Sequence, residues 1–543
     1  MANTLAKQNK DSRPLLLVLG CVCLAATTGA AAKSEKVPLT SKWDRFEQSF
    51  RSTTLYAHPL EEGTLTVEFR GPSGETHRVF GFWDGDRTWR VRFSPDQVGR
   101  WTFRTVSSDV ANKGLHNQTG EFLCTTGTGP TRFNQHGPVR VAADHRHFEH
   151  ADGTPFFWVA DTVWNGPRIS EPKNWEFYAQ TRASQHFTVA QWAVAPGHDI
   201  KGESALIGGP DQVSVNPGFF RRLENKMEVL SKAGILSAIV PLLELDANKE
   251  TGNALSDDQA VLFLRYVIAR WSADPVAWVI AFEEGTQAKK VSRWKRIGQE
   301  VLAPGRHAPV ILYSGQTPQV LESFRDQPWV DAFGCCNVGA GPFAKEWTKE
   351  PSRPLIIFSP HENDVDPESK RRFTADDVRR EFFWGLLQAP PAGVSYGAQG
   401  VVEWDTSIKG ETRAERAEDL PMCQKALFMP GAKQLGHVAN FMNSFEFWRV
   451  RPEPQFLAAS GNVASQQYIV AAGSDAKTLV LAYVPEDRTV EIFCDALPSA
   501  PTITWLNPRT GETNPAVAVV GARVCQFPTP DPGDWLLVMK AGK

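Results

Sequence analysis

Ala277-Trp278-Val279-Ile280-Ala281-Phe282-Glu283-Glu284-Gly285 places an unbroken apolar run directly before two carboxylates. Such a run reads as a parallel strand buried on both faces. Acids immediately after it fall where a (β/α)8 barrel gathers its functional groups, at the carboxyl ends of the strands. Adjacent acids also serve as a solvated loop or as the first turn of a helix, where negative charge meets the positive end of the dipole. The pair therefore takes its meaning from its surroundings.

Outward from this stretch, residues from about Gly137 to Phe447 switch between strand-like runs and helical periodicity, the rhythm of βα units. Strands are expected at 156–161, 187–193, 235–243, 276–282, 310–313, 330–333, 355–358 and 394–404. Phe220, Leu223, Met227 and Leu230 share one helical face, and capping boxes at Ser256 to Gln259 and Thr374 to Asp377 open two further helices. This predicts a central (β/α)8 TIM barrel over 135–447.

Both flanks change character. Residues 39–130 carry short alternating segments, among them 65–69, 89–93 and 101–105, separated by turns at Gly71-Pro72-Ser73-Gly74 and Asp84-Gly85-Asp86. They read as an immunoglobulin-like β-sandwich. In that reading, turn chemistry accounts for Asp84 and Asp86 as well as a ligand contact does. Residues 448–543 return to strands at 468–471, 478–483, 489–493 and 535–538, predicting a second β-sandwich.

A chain of 543 residues exceeds what a single core serves, so a multidomain protein is expected. With 42% hydrophobic and 22% charged residues and a net charge of −3, nothing favours nucleic acid or an anionic membrane as partner. Lys7, Lys10 and Arg13, then a short apolar core and Ala30-Ala31-Ala32, read as a signal peptide over 1–32. The expectation is export to the periplasm, cell surface or medium without a transmembrane segment; a lipid anchor at Cys21 is the lesser alternative. The cysteines lack metal-type spacing, so neither metal nor other cofactor is expected. Cys494 and Cys525 could bridge two strands in an oxidising compartment. The 18 tryptophans suit both core packing and stacking on sugar rings.

Specific motifs then carry a resemblance. Trp43-Asp44-Arg45-Phe46-Glu47 with Gly81-Phe82-Trp83-Asp84-Gly85 and Gly99-Arg100-Trp101-Thr102-Phe103 resembles the immunoglobulin-like module that precedes many bacterial barrel glycosidases. Pro155-Phe156-Phe157-Trp158-Val159-Ala160-Asp161-Thr162-Val163-Trp164 resembles the first barrel strand of the apiosidase-like glycoside hydrolases. Pro390-Pro391-Ala392-Gly393-Val394-Ser395-Tyr396-Gly397 resembles their last strand, and Gly533-Asp534-Trp535-Leu536-Leu537-Val538 the collagen-binding-type domain that follows.

The resemblance implies an exported hydrolase of glycosidic bonds in plant or algal polysaccharide, with one carboxylate after strand four and another after strand seven. Glu283 matches the former position. Ser359 stands where many relatives have the strand-seven glutamate, and Glu362 follows three residues later, beside His361. Glu283 and Glu362 are thus the expected catalytic pair, one protonated and one ionised, with retention of configuration expected. Asp161, Trp164, Trp192, Glu284, His361 and Trp404 are the expected substrate contacts. Gln191, Glu244, Asp246, Glu403 and Asp405 also fall at predicted strand ends. The competing reading, favoured by Ser359 and by Phe282 in place of the usual asparagine, is a non-catalytic carbohydrate-binding or scaffold protein with a degenerate barrel.

Overall fold

Period-two alternation decides what each central strand buries. The computed structural model describes residues 37–127, 129–209, 211–243, 255–282, 288–305, 308–314, 318–336, 341–366, 369–390, 393–407 and 422–542. Eight parallel strands close into a barrel: β1 (Trp158–Thr162), β2 (Val189–Ala195), β3 (Leu236–Leu242), β4 (Val276–Phe282), β5 (Val310–Ser314), β6 (Ala332–Cys336), β7 (Leu355–Phe358) and β8 (Gly393–Tyr396). Strands pair in chain order, and β8 returns to β1 with Gly393 opposite Trp158. Only glycine fits there: its φ is +154°, and a Cβ would lie 2.2 Å from the Trp158 carbonyl oxygen.

Trp158, Ala160, Val189, Ala193, Ala238 and Ile356 cluster inside the barrel, whereas Val159, Trp192, Ile239, Trp278 and Leu312 pack outward against the helices. A fully buried valine, leucine or isoleucine among them contributes about 1.5–3 kcal/mol. Two concentric apolar layers explain why the strands read as continuous apolar runs.

The helices that matter for the site are α1 (Pro172–Ser184), α2 (Pro217–Lys232), α3 (Asp257–Trp271), α4 (Ala375–Gln388) and α5 (Pro430–Met442). Phe220, Leu223, Met227 and Leu230 form the buried face of α2, as their spacing predicts. Ser256 caps α3 by accepting from the Gln259 amide, and Thr374 with Asp377 closes a reciprocal capping box on α4.

Several strand bounds differ from the sequence reading. β1 begins at Trp158 rather than at 156, because Pro155 and Phe156 pair instead with Glu149 and Phe148. β2 runs Val189–Ala195 rather than 187–193, β6 begins at Ala332 rather than at 330, and β8 ends at Tyr396. Beyond Tyr396 the chain pairs only through the Ala398 to Glu362 bridge and then coils through turns to Trp404.

The N-terminal region forms a five-stranded and a three-stranded sheet, with Phe46, Phe69, Trp101 and Phe122 in the core between them. The C-terminal region stacks a six-stranded sheet on a three-stranded one. Both are locked to the barrel's helices by buried ion pairs. Arg92 Nη1 lies 2.7 Å from Glu224 Oε1 on α2, and Arg270 Nη1 on α3 lies 2.8 Å from Asp84 Oδ1. Asp84 is therefore an interdomain anchor. At the other end, Arg379 Nε on α4 meets Asp534 Oδ2 at 2.6 Å, and Tyr483 donates its hydroxyl to the same oxygen at 2.8 Å. Among the described residues no helix is long and apolar enough to cross a membrane.

Candidate active site

The carboxyl ends of the strands converge on one rim. Thr162 ends β1 on the inward face set by Trp158 and Ala160, and its Oγ1 lies 3.4 Å from Ser395 Oγ on β8. Trp164, just past β1, packs half-buried against the interior cluster, and its carbonyl accepts from the Ala193 amide at 3.1 Å. Tyr313 near the end of β5 lies over Phe358 of β7, with ring centroids 4.3 Å apart. Ser359, directly after β7, donates its hydroxyl to the Ser395 carbonyl at 3.2 Å. These positions form a polar and aromatic mouth above an apolar barrel interior.

His361 follows on the same loop, half-buried, with Nδ1 3.9 Å from Asp364 Oδ2. Desolvation holds its pKa below the ordinary histidine value, with Asp364 opposing. After β8, Glu403 is exposed to solvent, and partial desolvation with the neighbouring carboxylates of Asp364 and Asp405 pushes its pKa upward. The turn carrying Glu403 is fixed from behind, because Trp404 adopts φ +53° and buries its indole against Trp175 and Tyr178 of α1.

Four expected site residues lie elsewhere. Asp161 is on the outward face of β1, fully buried, receiving hydrogen bonds from Arg182 Nε at 2.7 Å and from the Tyr178 hydroxyl at 2.9 Å. Burial pushes the Asp161 carboxyl upward, and Arg182 opposes the shift. Trp192 also points outward and packs edge-to-face on Trp271, with centroids 5.8 Å apart. Trp404 belongs to the same helix-facing layer.

Glu362 is the most consequential correction. It is 5% exposed and accepts from the Tyr396 hydroxyl at 2.5 Å and from the Gly431 amide, at the start of α5, at 3.0 Å. A Cβ on Gly431 would lie 2.5 Å from Glu362 Oε2, so this helix end approaches because the residue is glycine. Glu362 therefore ties β7, β8 and α5 together behind the barrel wall. Desolvation raises its pKa, while Tyr396 and Gly431 work against the rise.

The structure thus brings Trp164 and His361 to the rim and removes Asp161, Trp192, Trp404 and Glu362 from it. Glu283 and Glu284 lie outside the described residues, as do Glu244 and Asp246. Alternation carried the missing signal: Trp158, Ala160 and Thr162 share a face, so Asp161 must take the other. Gln191 falls on the interior face by the same rule. For metal binding, Glu75, His77 and Asp96 have ligand atoms within 4.8 Å of one another, but they lie on the N-terminal sandwich and not at the rim.

A closed parallel barrel between two β-sandwiches, with hydroxyls and rings at the carboxyl ends of its strands, fits a glycoside hydrolase, and the catalytic-domain match assigns that class. Within that class the chain belongs to the apiosidase-like family: residues 142–449 match the family described as "Apiosidase-like, catalytic domain". Residues 40–108 match "Domain of unknown function (DUF5060)", and residues 452–540 match "Putative collagen-binding domain of a collagenase". Among functionally curated proteins, none matches this sequence.

Solved structures share the architecture. One described as "a putative glycoside hydrolase" from Bacteroides vulgatus aligns with TM-score 0.70 and 18% identity, over 93% of this chain and 100% of that one. A family 5 glycoside hydrolase from the same organism aligns with TM-score 0.65 and 18% identity, over 76% and 94% of the two chains. At this identity the likeness speaks for the fold; the hydrolase class follows from the catalytic-domain match.

Proposed function

We propose that the protein is an exported hydrolase of glycosidic bonds in a plant or algal polysaccharide, with Glu283 as one of two essential carboxyl groups. One observation carries the choice of Glu283. Ala277, Val279 and Ala281 of β4 belong to the interior cluster, so β4 is the barrel strand that the sequence motif requires, and Glu283 is the first residue after it and the one that matches the fourth-strand carboxylate of the family. The side-chain positions around the rim, rich in hydroxyls and rings, suit a polyhydroxylated substrate.

Glu403 is proposed as the second carboxyl group in place of Glu362. Glu403 lies exposed in the turns that follow β8 at the carboxyl end of the barrel, and partial desolvation with Asp364 and Asp405 pushes its pKa upward, the direction a general acid needs to keep a proton for the leaving oxygen. Stereochemistry follows from the spacing of the two groups: about 5 Å gives retention through a glycosyl-enzyme, and roughly 6.5–9.5 Å gives inversion. Export rests on the N-terminal sequence 1–32, which lies outside the described residues.

The test is reducing-sugar release from a panel of pectic and algal polysaccharides by the parent protein and by Glu283→Gln. The expected result is release by the parent and a loss of about 10²–10⁴-fold in kcat for the variant. Unchanged turnover in folded Glu283→Gln would remove Glu283 from the mechanism.

A further inference from the structure

Gln191 is fully buried, and neither its Oε1 nor its Nε2 has a hydrogen-bond partner among the described residues. It lies on β2 between Val189 and Ala193, both of which face the barrel interior, so alternation points its carboxamide inward as well. In register it sits opposite Thr162, the last residue of β1, on one side and Ala238 on the other. Its depth is therefore that of the carboxyl end of β1, where the barrel wall gives way to the mouth. The inward hydroxyls of Thr162 and Ser395 stand at the same end, 3.4 Å from each other.

A buried amide with both ends unsatisfied costs folding free energy, and native interiors seldom carry one. Leucine or methionine would fill the position without that cost. A polar group retained against stability is expected where a ligand supplies the missing partners. A carboxamide offers a donor and an acceptor side by side, a match for two neighbouring hydroxyls of one sugar ring, each of which can both give and take a hydrogen bond.

We propose that Gln191 is a substrate-positioning residue, its carboxamide bridging two adjacent hydroxyls of the sugar bound in the barrel mouth, with Thr162 and Ser395 lining the same floor. This rests on the glycosidase reading above. It adds a specificity: sugars with a vicinal diol at the bound ring are preferred over those with one of the two hydroxyls methylated or acetylated. Discrimination of this kind is strong when a site built for a hydroxyl meets a substrate lacking it, because the protein's polar group is left unpaired.

The experiment compares the full-length parent with Gln191→Met and Gln191→Glu, using the panel polysaccharide from which the parent releases most sugar. Thermal unfolding is recorded for each protein, and affinity electrophoresis is run in gels containing the same polysaccharide. The expected result is that Gln191→Met melts at or above the parent temperature while kcat/KM falls at least about tenfold and gel retardation weakens. Gln191→Glu, which keeps an acceptor of the same reach, is expected to recover part of the retardation.

If Gln191→Met melts lower yet keeps kcat/KM and retardation within about twofold, the amide serves a buried water and the proposal is overturned. A parent that is retarded but cleaves nothing sinks only the hydrolase reading, and retardation in Gln191→Met then decides this one. A parent neither retarded by nor active on any member of the panel overturns both.

Discussion

Tyr396 donates its hydroxyl hydrogen to Glu362 Oε2 across 2.5 Å, on the helix side of the barrel wall and away from the mouth. The Gly431 amide donates to the same oxygen, so the side chain at 362 serves as an acceptor for two fixed donors. Glutamine keeps an acceptor there without a charge to desolvate. Because burial raises the Glu362 pKa, its contribution to stability is fully present below the unfolded-state pKa and is lost as pH rises through the folded value. Glu362→Gln is therefore expected to match or exceed the parent in urea stability at neutral pH, with sugar release within about threefold. Glu362→Ala strands both donors and is expected to cost about 2–4 kcal/mol. A folded Glu362→Gln protein with activity reduced about 10³-fold would return this residue to the mechanism.

The pair formed by Asp161 and Arg182 gives a second prediction. Both side chains are 0% exposed. For Arg182, desolvation works against its charge, but the adjacent Asp161 carboxylate outweighs it and keeps the guanidinium protonated. Asp161→Asn leaves that cation uncompensated and is expected to cost about 3–5 kcal/mol in urea unfolding. The double variant Asp161→Asn with Arg182→Met is expected to recover part of the loss. Loss of sugar binding at unchanged stability in Asp161→Asn would contradict the structural role.

Glu403 predicts a pH dependence. As a proton donor with a raised pKa it is active when protonated, so activity falls as pH rises through its pKa, giving the alkaline limb of the profile. Glu403→Gln is expected to lower kcat about 10²–10⁴-fold and to abolish that limb. Persistence of the same limb in the variant would assign it to another group.

Cys494 and Cys525 have their sulfurs 2.6 Å apart and lie 31 positions apart in sequence. Closing a loop of this length by a disulfide is worth about 3–4 kcal/mol on the chain-entropy account. Protein produced in an oxidising compartment is expected to show two fewer titratable thiols than reduced protein, and a melting temperature that falls on addition of dithiothreitol. Equal thiol counts in the two preparations would rule the bridge out.

The barrel was legible in the sequence to a degree its site was not. Apolar runs such as 276–282 and 355–358 gave β4 and β7 their observed bounds, and capping residues Ser256 and Thr374 placed the starts of α3 and α4, because these signals are local. Expectations at strand ends fared unevenly. Asp161, Trp192 and Trp404 are polar or aromatic residues at the right positions along the chain but on the outer side of the wall.

The sequence by itself determined the order of sandwich, barrel and sandwich, the eight strands, and the motifs of the apiosidase-like family, since hydrophobic period and turn chemistry are written within a few residues of one another. Only the tertiary structure decided which carboxylates meet cations and which meet solvent. Glu362 is drawn behind the wall by Tyr396 and by a helix end that begins 69 positions away, and Asp161 by an arginine 21 positions away. Whether a buried acid is a catalyst or a tie depends on the charges and donors that folding brings to it, and those partners are distant in the chain.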